Sequence, residues 1–272
     1  MKNLVCTLSF CILVTCAAHA QEQAQAQGSQ QQTTDQQALA LKLANPLASM
    51  ISVPFQFNVM LGVGQNNGSQ LVTNFQPVVP FTMGKVNVIT RTIVPFIENR
   101  NIFSPASTTF GLSDVNFSAF LTPAKPRKIL WGIGPAIAFP TATASRLGAE
   151  KWAAGPTIAV MKQVKGWTYI LLARQMWSFA GNADVQDVSP YFVNPGIGYS
   201  FASGAGLGAN VEVSGSWTDS GNTQAYLNFS ASMVSKFGKQ LVSFAIGPRL
   251  PLTSDTLGDW GLRTGFTLIF KH

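Results

Sequence analysis

The sequence predicts an all-β chain: a twelve-stranded antiparallel transmembrane β-barrel preceded by a short N-terminal helical or disordered segment. Three observations carry this. Charged residues make up 11% of the chain, against about 25% in ordinary soluble domains. Beyond the N-terminal leader, no stretch approaches the roughly 20 apolar residues of a membrane helix; the longest, 129–140, is broken by glycine and proline. From residue 53 onward, apolar side chains alternate with polar or small ones, in runs near the 9–11 residues that a tilted strand needs to cross a bilayer.

Taken in order, residues 1–20 form a signal peptide. Lys2 is followed by a largely apolar stretch over 4–16 and by the small-residue cleavage site Ala18-His19-Ala20. Acylation at Cys16 is the weaker alternative, because Thr15 before it is bulkier than such processing prefers. Cleavage removes Cys6, Cys11 and Cys16, so the mature chain lacks cysteine and with it disulfides and thiolate metal sites. Residues 21–50 form a Gln-rich tail with a short helix. The stretch 21–44 has little to bury and is expected to be disordered, whereas Asn45-Pro46 before LASM has the form of a helix start.

Residues 51–272 are the barrel. Its predicted strands cover about 53–63, 69–81, 86–97, 111–122, 129–139, 151–162, 167–179, 190–202, 206–217, 222–235, 241–251 and 259–270, separated by Gly, Asn, Asp, Ser and Lys. If the first strand runs outward, every second connection lies on the periplasmic side. Those connections and the C-terminal end hold Lys85, Lys125, Arg127, Lys128, Lys162, Lys165, Lys236, Lys239 and Lys271, and no acid. The opposite connections hold Glu98, Glu150, Asp184, Asp187, Asp219, Asp255 and Asp259 beside Arg100, Arg146 and Lys151. A soluble β-protein has no reason to sort charge by alternate turns.

The remaining mature charges outside the tail are Arg91, Asp114, Arg174, Glu212, Arg249 and Arg263. Each falls on the parity opposite its strand's more apolar face, where it escapes the roughly 2–4 kcal/mol cost of a charge facing mid-depth lipid. These six are the candidate lumen-lining residues. On the outward parity, Phe96, Phe139, Trp152, Trp177, Trp217 and Trp260 fall near one rim, and Phe81, Trp131, Trp167, Phe201 and Phe270 near the other. Two aromatic girdles are what an outer-membrane barrel requires. The final strand, RTGFTLIF, carries a polar residue, a glycine and a terminal aromatic at the spacing read by the barrel-assembly machinery, although Lys271-His272 extends past the aromatic. That strand must also pair with the first, because an open edge in lipid leaves backbone groups unsatisfied.

Several segments, taken together, resemble one bacterial outer-membrane family: ANPLASMISVPFQFN (44–58), NFQPVVPF (74–81), RTIVPFI (91–97), WGIGPAIAFPTAT (131–143), KWAAGPT (151–157), ARQMWSFAG (173–181) and DWGLRTGFTLIF (259–270). The family is labelled as transporters or as "meta-pathway of phenol degradation" proteins, and some members carry the mistaken label neuromedin U. The resemblance implies a Gram-negative outer-membrane location and passage of aromatic or other hydrophobic compounds. It supplies no site residues.

Enzymatic activity is not expected. A serine nucleophile needs a base near neutrality, usually histidine, and the one mature histidine, His272, lies beyond the last strand. GVG (62–64) and GAGLG (204–208) precede no helix and are strand or turn glycines, so no nucleotide cofactor is implied. Asp184, Asp187, Asp255 and Asp259 read as solvated loop acids better than as a metal site. The bases divide between turns and interior, which argues against nucleic acid as a partner. The expected partners are outer-membrane lipid, the assembly machinery and small solutes.

Two readings of the interior stay open: a wet lumen whose arginines favour anionic or polar solutes, or arginines paired with Asp114 and Glu212 to seal the barrel. Segment 38–50 is placed to plug it. Pro95, Pro135, Pro156, Pro195 and Pro248 fall inside strands, where proline removes a ladder donor. Bulges that add curvature are the plain expectation; a lateral gap at Pro135, Pro156, Pro195 and Pro248 is the sharper one. The function expected is a passive channel or facilitator for small molecules, and the alternative is a structural or adhesive barrel using its outer loops.

Overall fold

The computed structural model describes residues 37–38, 40–41, 50–125, 128–238 and 240–270. The predicted signal peptide, most of the tail and the helix start at Asn45-Pro46 lie outside these residues. Twelve antiparallel strands form a closed barrel. They are β1 (Ile51–Val63), β2 (Gly68–Phe75 and Val78–Met83), β3 (Val86–Arg100), β4 (Thr108–Leu112 and Val115–Pro123), β5 (Leu130–Phe139) and β6 (Lys151–Val164). The second half comprises β7 (Trp167–Gln175 and Trp177–Gly181), β8 (Pro190–Ser200), β9 (Ala205–Ser216), β10 (Asp219–Phe237), β11 (Gln240–Pro251) and β12 (Trp260–Phe270).

Each strand pairs with its neighbours in sequence. The ring closes where β1 meets β12, from Ile51 opposite Phe270 to Leu61 opposite Trp260 without interruption. The connections at the end holding the two chain termini are mostly tight: Gly84 and Lys85, Lys165 and Gly166, and 201–204. Positive φ at Gly84, Lys165 and Gly166 closes the first two. At the far end the connections reach 101–107, 140–150, 182–189 and 252–259, the third of these preceded by a short 3₁₀ turn, Ser145–Leu147, in the second.

The outer wall is apolar. Leu121, Ile133, Ile158, Leu171, Ile197, Leu207, Phe229, Phe244 and Ile246 are all exposed, forming a belt no monomer in water sustains. Trp131, Trp167, Phe201 and Phe270 edge it at the terminal end, and Trp152, Trp177, Trp217 and Trp260 at the far end. Phe139 is half-buried and packs edge-on against Trp152, with ring centroids 5.3 Å apart.

Pro135, Pro156, Pro195 and Pro248 do not make the bulges expected of them, whereas at Pro95 the pairing shifts by one residue between Phe96–Leu112 and Ile93–Asn116. Further register shifts lie at Leu61/Val63, Ser178/Ala180 and Ser214/Ser216, toward the far rim. Opposite Pro135, Pro156, Pro195 and Pro248 the pairing lapses and then resumes in the same register. The lapses separate Ser118–Ala136 from Leu121–Ile133, Thr157–Arg174 from Trp177–Ala154, Val193–Val213 from Gly196–Asn210, and Asn228–Arg249 from Ala231–Ile246. They fall on alternate junctions: β4–β5, β6–β7, β8–β9 and β10–β11. The cause is local. Proline offers no N–H to the facing carbonyl, and at Pro135, Pro156 and Pro248 the inward glycine before it leaves space into which that carbonyl leans. A Cβ on Gly134, Gly155 or Gly247 would lie 1.9, 2.1 and 1.9 Å from the oxygens of Ala119, Gln175 and Phe229.

Candidate functional site: a polar belt across the lumen

The inward parity of the strands brings long polar side chains to meet inside the ring. Glu212 on β9 is the hub. Its Oε2 accepts from Arg249 Nη1 on β11 at 2.6 Å and from Arg263 Nη2 on β12 at 2.7 Å, while Oε1 accepts from Arg263 Nη1 at 2.8 Å. The Arg263 fork is therefore bidentate, the strong geometry for guanidinium and carboxylate. Strands β9 and β12 are not neighbours, so this contact crosses the interior. The side chains of Glu212, Arg249 and Arg263 are 17%, 11% and 14% exposed.

Amides extend the cluster in both directions. Arg249 Nη1 also donates to Asn228 Oδ1 at 2.7 Å, and Asn228 Nδ2 to Asn210 Oδ1 at 2.8 Å. Arg249 lies over the Tyr226 ring, 3.6 Å from its centroid, a cation–π contact. Arg263 Nε donates to Asn58 Oδ1 at 2.6 Å, and Gln56 Nε2 donates to the same oxygen at 3.1 Å. Gln56 Oε1 accepts from Gln76 Nε2 at 3.4 Å, and Gln76 Oε1 accepts from Arg91 Nη2. Across the ring, Arg174 Nη1 donates to Asn116 Oδ1 at 3.0 Å.

Five of the six charged candidates thus sit in or beside one belt, but they are not equivalent. Arg249 and Arg263 share one carboxylate. Arg91 and Arg174 have no ion pair among the described residues. Arg174 Nε is buried without any partner. Asp114 is placed differently: its carboxylate accepts from the backbone amides of Ala142 (3.2 Å) and Ala149 (2.6 Å), tying down the 140–150 connection at the far rim. The sealing arrangement in which both acids neutralise the arginines is accordingly met by Glu212 alone.

Asn58, Gln76, Asn116, Asn210 and Asn228 belong to the belt although the sequence did not single them out. Asn58, Gln76, Asn116 and Asn228 each touch an arginine and Asn210 joins through Asn228; their inward parity was the available signal.

Below the belt, toward the terminal end, lies a cavity of about 410 Å3 roofed by Gln76 and Arg91. At its mouth sit residues 37, 38, 40 and 41, helical within a stretch whose composition predicts disorder. Gln37 Nε2 donates to Ser200 O at 2.7 Å, Gln163 Nε2 donates to Leu41 O at 2.7 Å, and Ala40 is buried. Ala40, just past the glutamines, supplies buried contact that the glutamines alone lack. Outside the membrane span, buried Lys151 reaches Asp187 Oδ1 at 3.1 Å. Hydrogen bonds from Lys151 and Ser178 hold the Asp187 carboxyl below its ordinary value.

A closed ring, an apolar outer belt, aromatic rims and an ion-bearing interior together define a β-barrel of the outer-membrane type. Among solved structures the chain is similar to the "COG4313 outer membrane channel from Pseudomonas putida F1", with a TM-score of 0.61, 15% identity, and coverage of 81% of this chain and 94% of that one. The β domain of the Bordetella autotransporter BrkA overlaps more loosely, with a TM-score of 0.42 at 8% identity over 81% of this chain and 98% of that one. No protein-family profile and no curated protein matches the chain by sequence.

Proposed function

We propose that this protein is a passive outer-membrane channel for small molecules, with the polar belt as its selectivity element and the N-terminal segment as a partial plug at the periplasmic mouth. The observation that carries the reading is the charge imbalance of the belt. Four arginines face one glutamate across an interior lined with amides, an arrangement suited to passing anionic or polar solutes. Aromatic and other hydrophobic compounds remain the candidate cargo on the strength of the sequence resemblance. A twelve-stranded ring falls between barrels filled by side chains and aqueous porins, so the path is narrow. Planar-bilayer recording is the test. The mature protein is expected to give small, anion-selective conductance in a salt gradient, and a variant lacking 21–50 to give larger conductance. No conductance from either form defeats the channel reading.

A lateral exit for apolar solutes is the second reading, favoured by the lapses at Pro135, Pro156, Pro195 and Pro248. The one at Pro195 adjoins a lipid-side groove lined by Leu171, Ile197 and Val211. Under this reading Pro135→Val with Pro156→Val restores ladder bonds and slows uptake of a hydrophobic substrate severalfold; unaltered uptake counts against it.

A further inference from the structure

The cavity under the belt has two unlike walls. On one side Phe120, Ile170 and Leu172 present apolar surface, and on the other Ser230, Ser232 and Ser243 present hydroxyls. Phe120 belongs to a packed cluster with Ile89 and Ala159, against which Leu172 also rests, so the apolar wall is rigid. The volume, about 410 Å3, falls at the small end of ligand sites, which span roughly 300–1,000 Å3.

The roof is charged. Arg91 carries five N–H donors, and its Nη2 is engaged by Gln76 Oε1. No carboxylate pairs with it among the described residues; the one acid of the belt, Glu212, is held by Arg249 and Arg263. Arg174 reaches Asn116, on the strand that pairs with that of Arg91, and has a buried, unpartnered Nε. Two cations held out of bulk water, one with an unmet donor, form a costly arrangement that an anion relieves.

Building on the channel reading, we infer that the cavity is a binding site for a small amphipathic monocarboxylate. Its carboxylate docks on Arg91 under the field of Arg174, and its apolar body lies against Phe120, Ile170 and Leu172. Arginine suits a carboxylate because its planar fork matches the two oxygens. The apolar wall excludes small hydrophilic anions from full contact.

Isothermal titration of the refolded, detergent-solubilised mature protein tests this, with benzoate, benzyl alcohol, acetate and inorganic phosphate as probes. Benzoate is expected to bind saturably, with benzyl alcohol weaker by about tenfold or more, the size of a lost charged hydrogen bond, and acetate weaker by about tenfold or more for want of the ring's apolar burial. Arg91→Gln should lower benzoate affinity to a similar extent while leaving barrel folding, read by heat-modifiable electrophoretic mobility, intact. If that variant does not refold, the four probes on the unaltered protein decide the matter. Benzyl alcohol binding as tightly as benzoate, phosphate binding more tightly than benzoate, or no saturable benzoate binding overturns the proposal. Titration in detergent needs no open path across the membrane. Conductance without benzoate binding therefore sinks this site and spares the channel, whereas binding without conductance does the reverse.

Discussion

At the scale of single residues, Glu212 does most to order the interior. Replacing it by glutamine removes the one counter-charge shared by Arg249 and Arg263. Breaking one side of a buried ionic cluster costs on the order of 3 kcal/mol, and contact with lumen water reduces that figure. Glu212→Gln is expected to lower the urea midpoint followed by tryptophan emission, and to move the reversal potential further toward anion selectivity. Asp187 makes a second case, at the far rim. Its carboxyl is held below the ordinary 3.8 by Lys151 and Ser178, so the charged form favours the folded loop. That contribution is complete above the unfolded value, and it is lost as pH falls through the lower folded value. Backbone exchange in 182–189 should accelerate as the pH drops below about 3.8, and Asp187→Asn should reproduce the acceleration at neutral pH. Unchanged exchange in both would remove the contact from any account of the loop. The alternation of side chains made the face of each charge legible in the sequence, but not its height. Asp114 and Glu212 share inward parity, yet one caps a rim loop and the other spans the lumen. The stagger of a closed sheet sets height, and strand-by-strand patterning does not encode it.

At the scale of elements, the strands follow from alternation and the turns from glycine, asparagine and lysine. The breaks inside strands do not. Gln76-Pro77 interrupts β2 because Pro77 offers no amide while the Gln76 side chain turns inward to Arg91. Met176 interrupts β7 because its facing residue, Gly155, lies in the Pro156 lapse; its amide bonds Pro190 O on β8 at 2.9 Å instead. Proline in a strand signals a lost donor, but the sequence leaves open whether the chain answers with a bulge or with an unaltered register. At Pro135, Pro156 and Pro248 the inward glycines decide for the latter, since a carbonyl that can lean over a bare Cα needs no extra residue, whereas Pro95, preceded by Val94, lies beside a one-residue shift. Valine at the proline positions returns an N–H to each lapse, but the leaning carbonyls must swing back to meet it. That local rearrangement is why paired substitutions at 135 and 156, which face each other across β5 and β6, are more informative than either alone.

At the scale of the whole molecule, ring closure and the aromatic girdles were legible, because lipid imposes the same demand along every strand. The interior was legible only in composition. Water and paired side chains tolerate many arrangements there, and the contacts that matter join strands distant in sequence. The seam between β1 and β12 carries a consequence for biogenesis. Because the opening strand's partner is the last one made, the cylinder stays unsealed until the chain is complete. Copies without Trp260–Phe270 lack a mate for Ile51–Leu61 and expose a raw edge of unpaired N–H and C=O groups, so the topology itself penalises every incomplete copy.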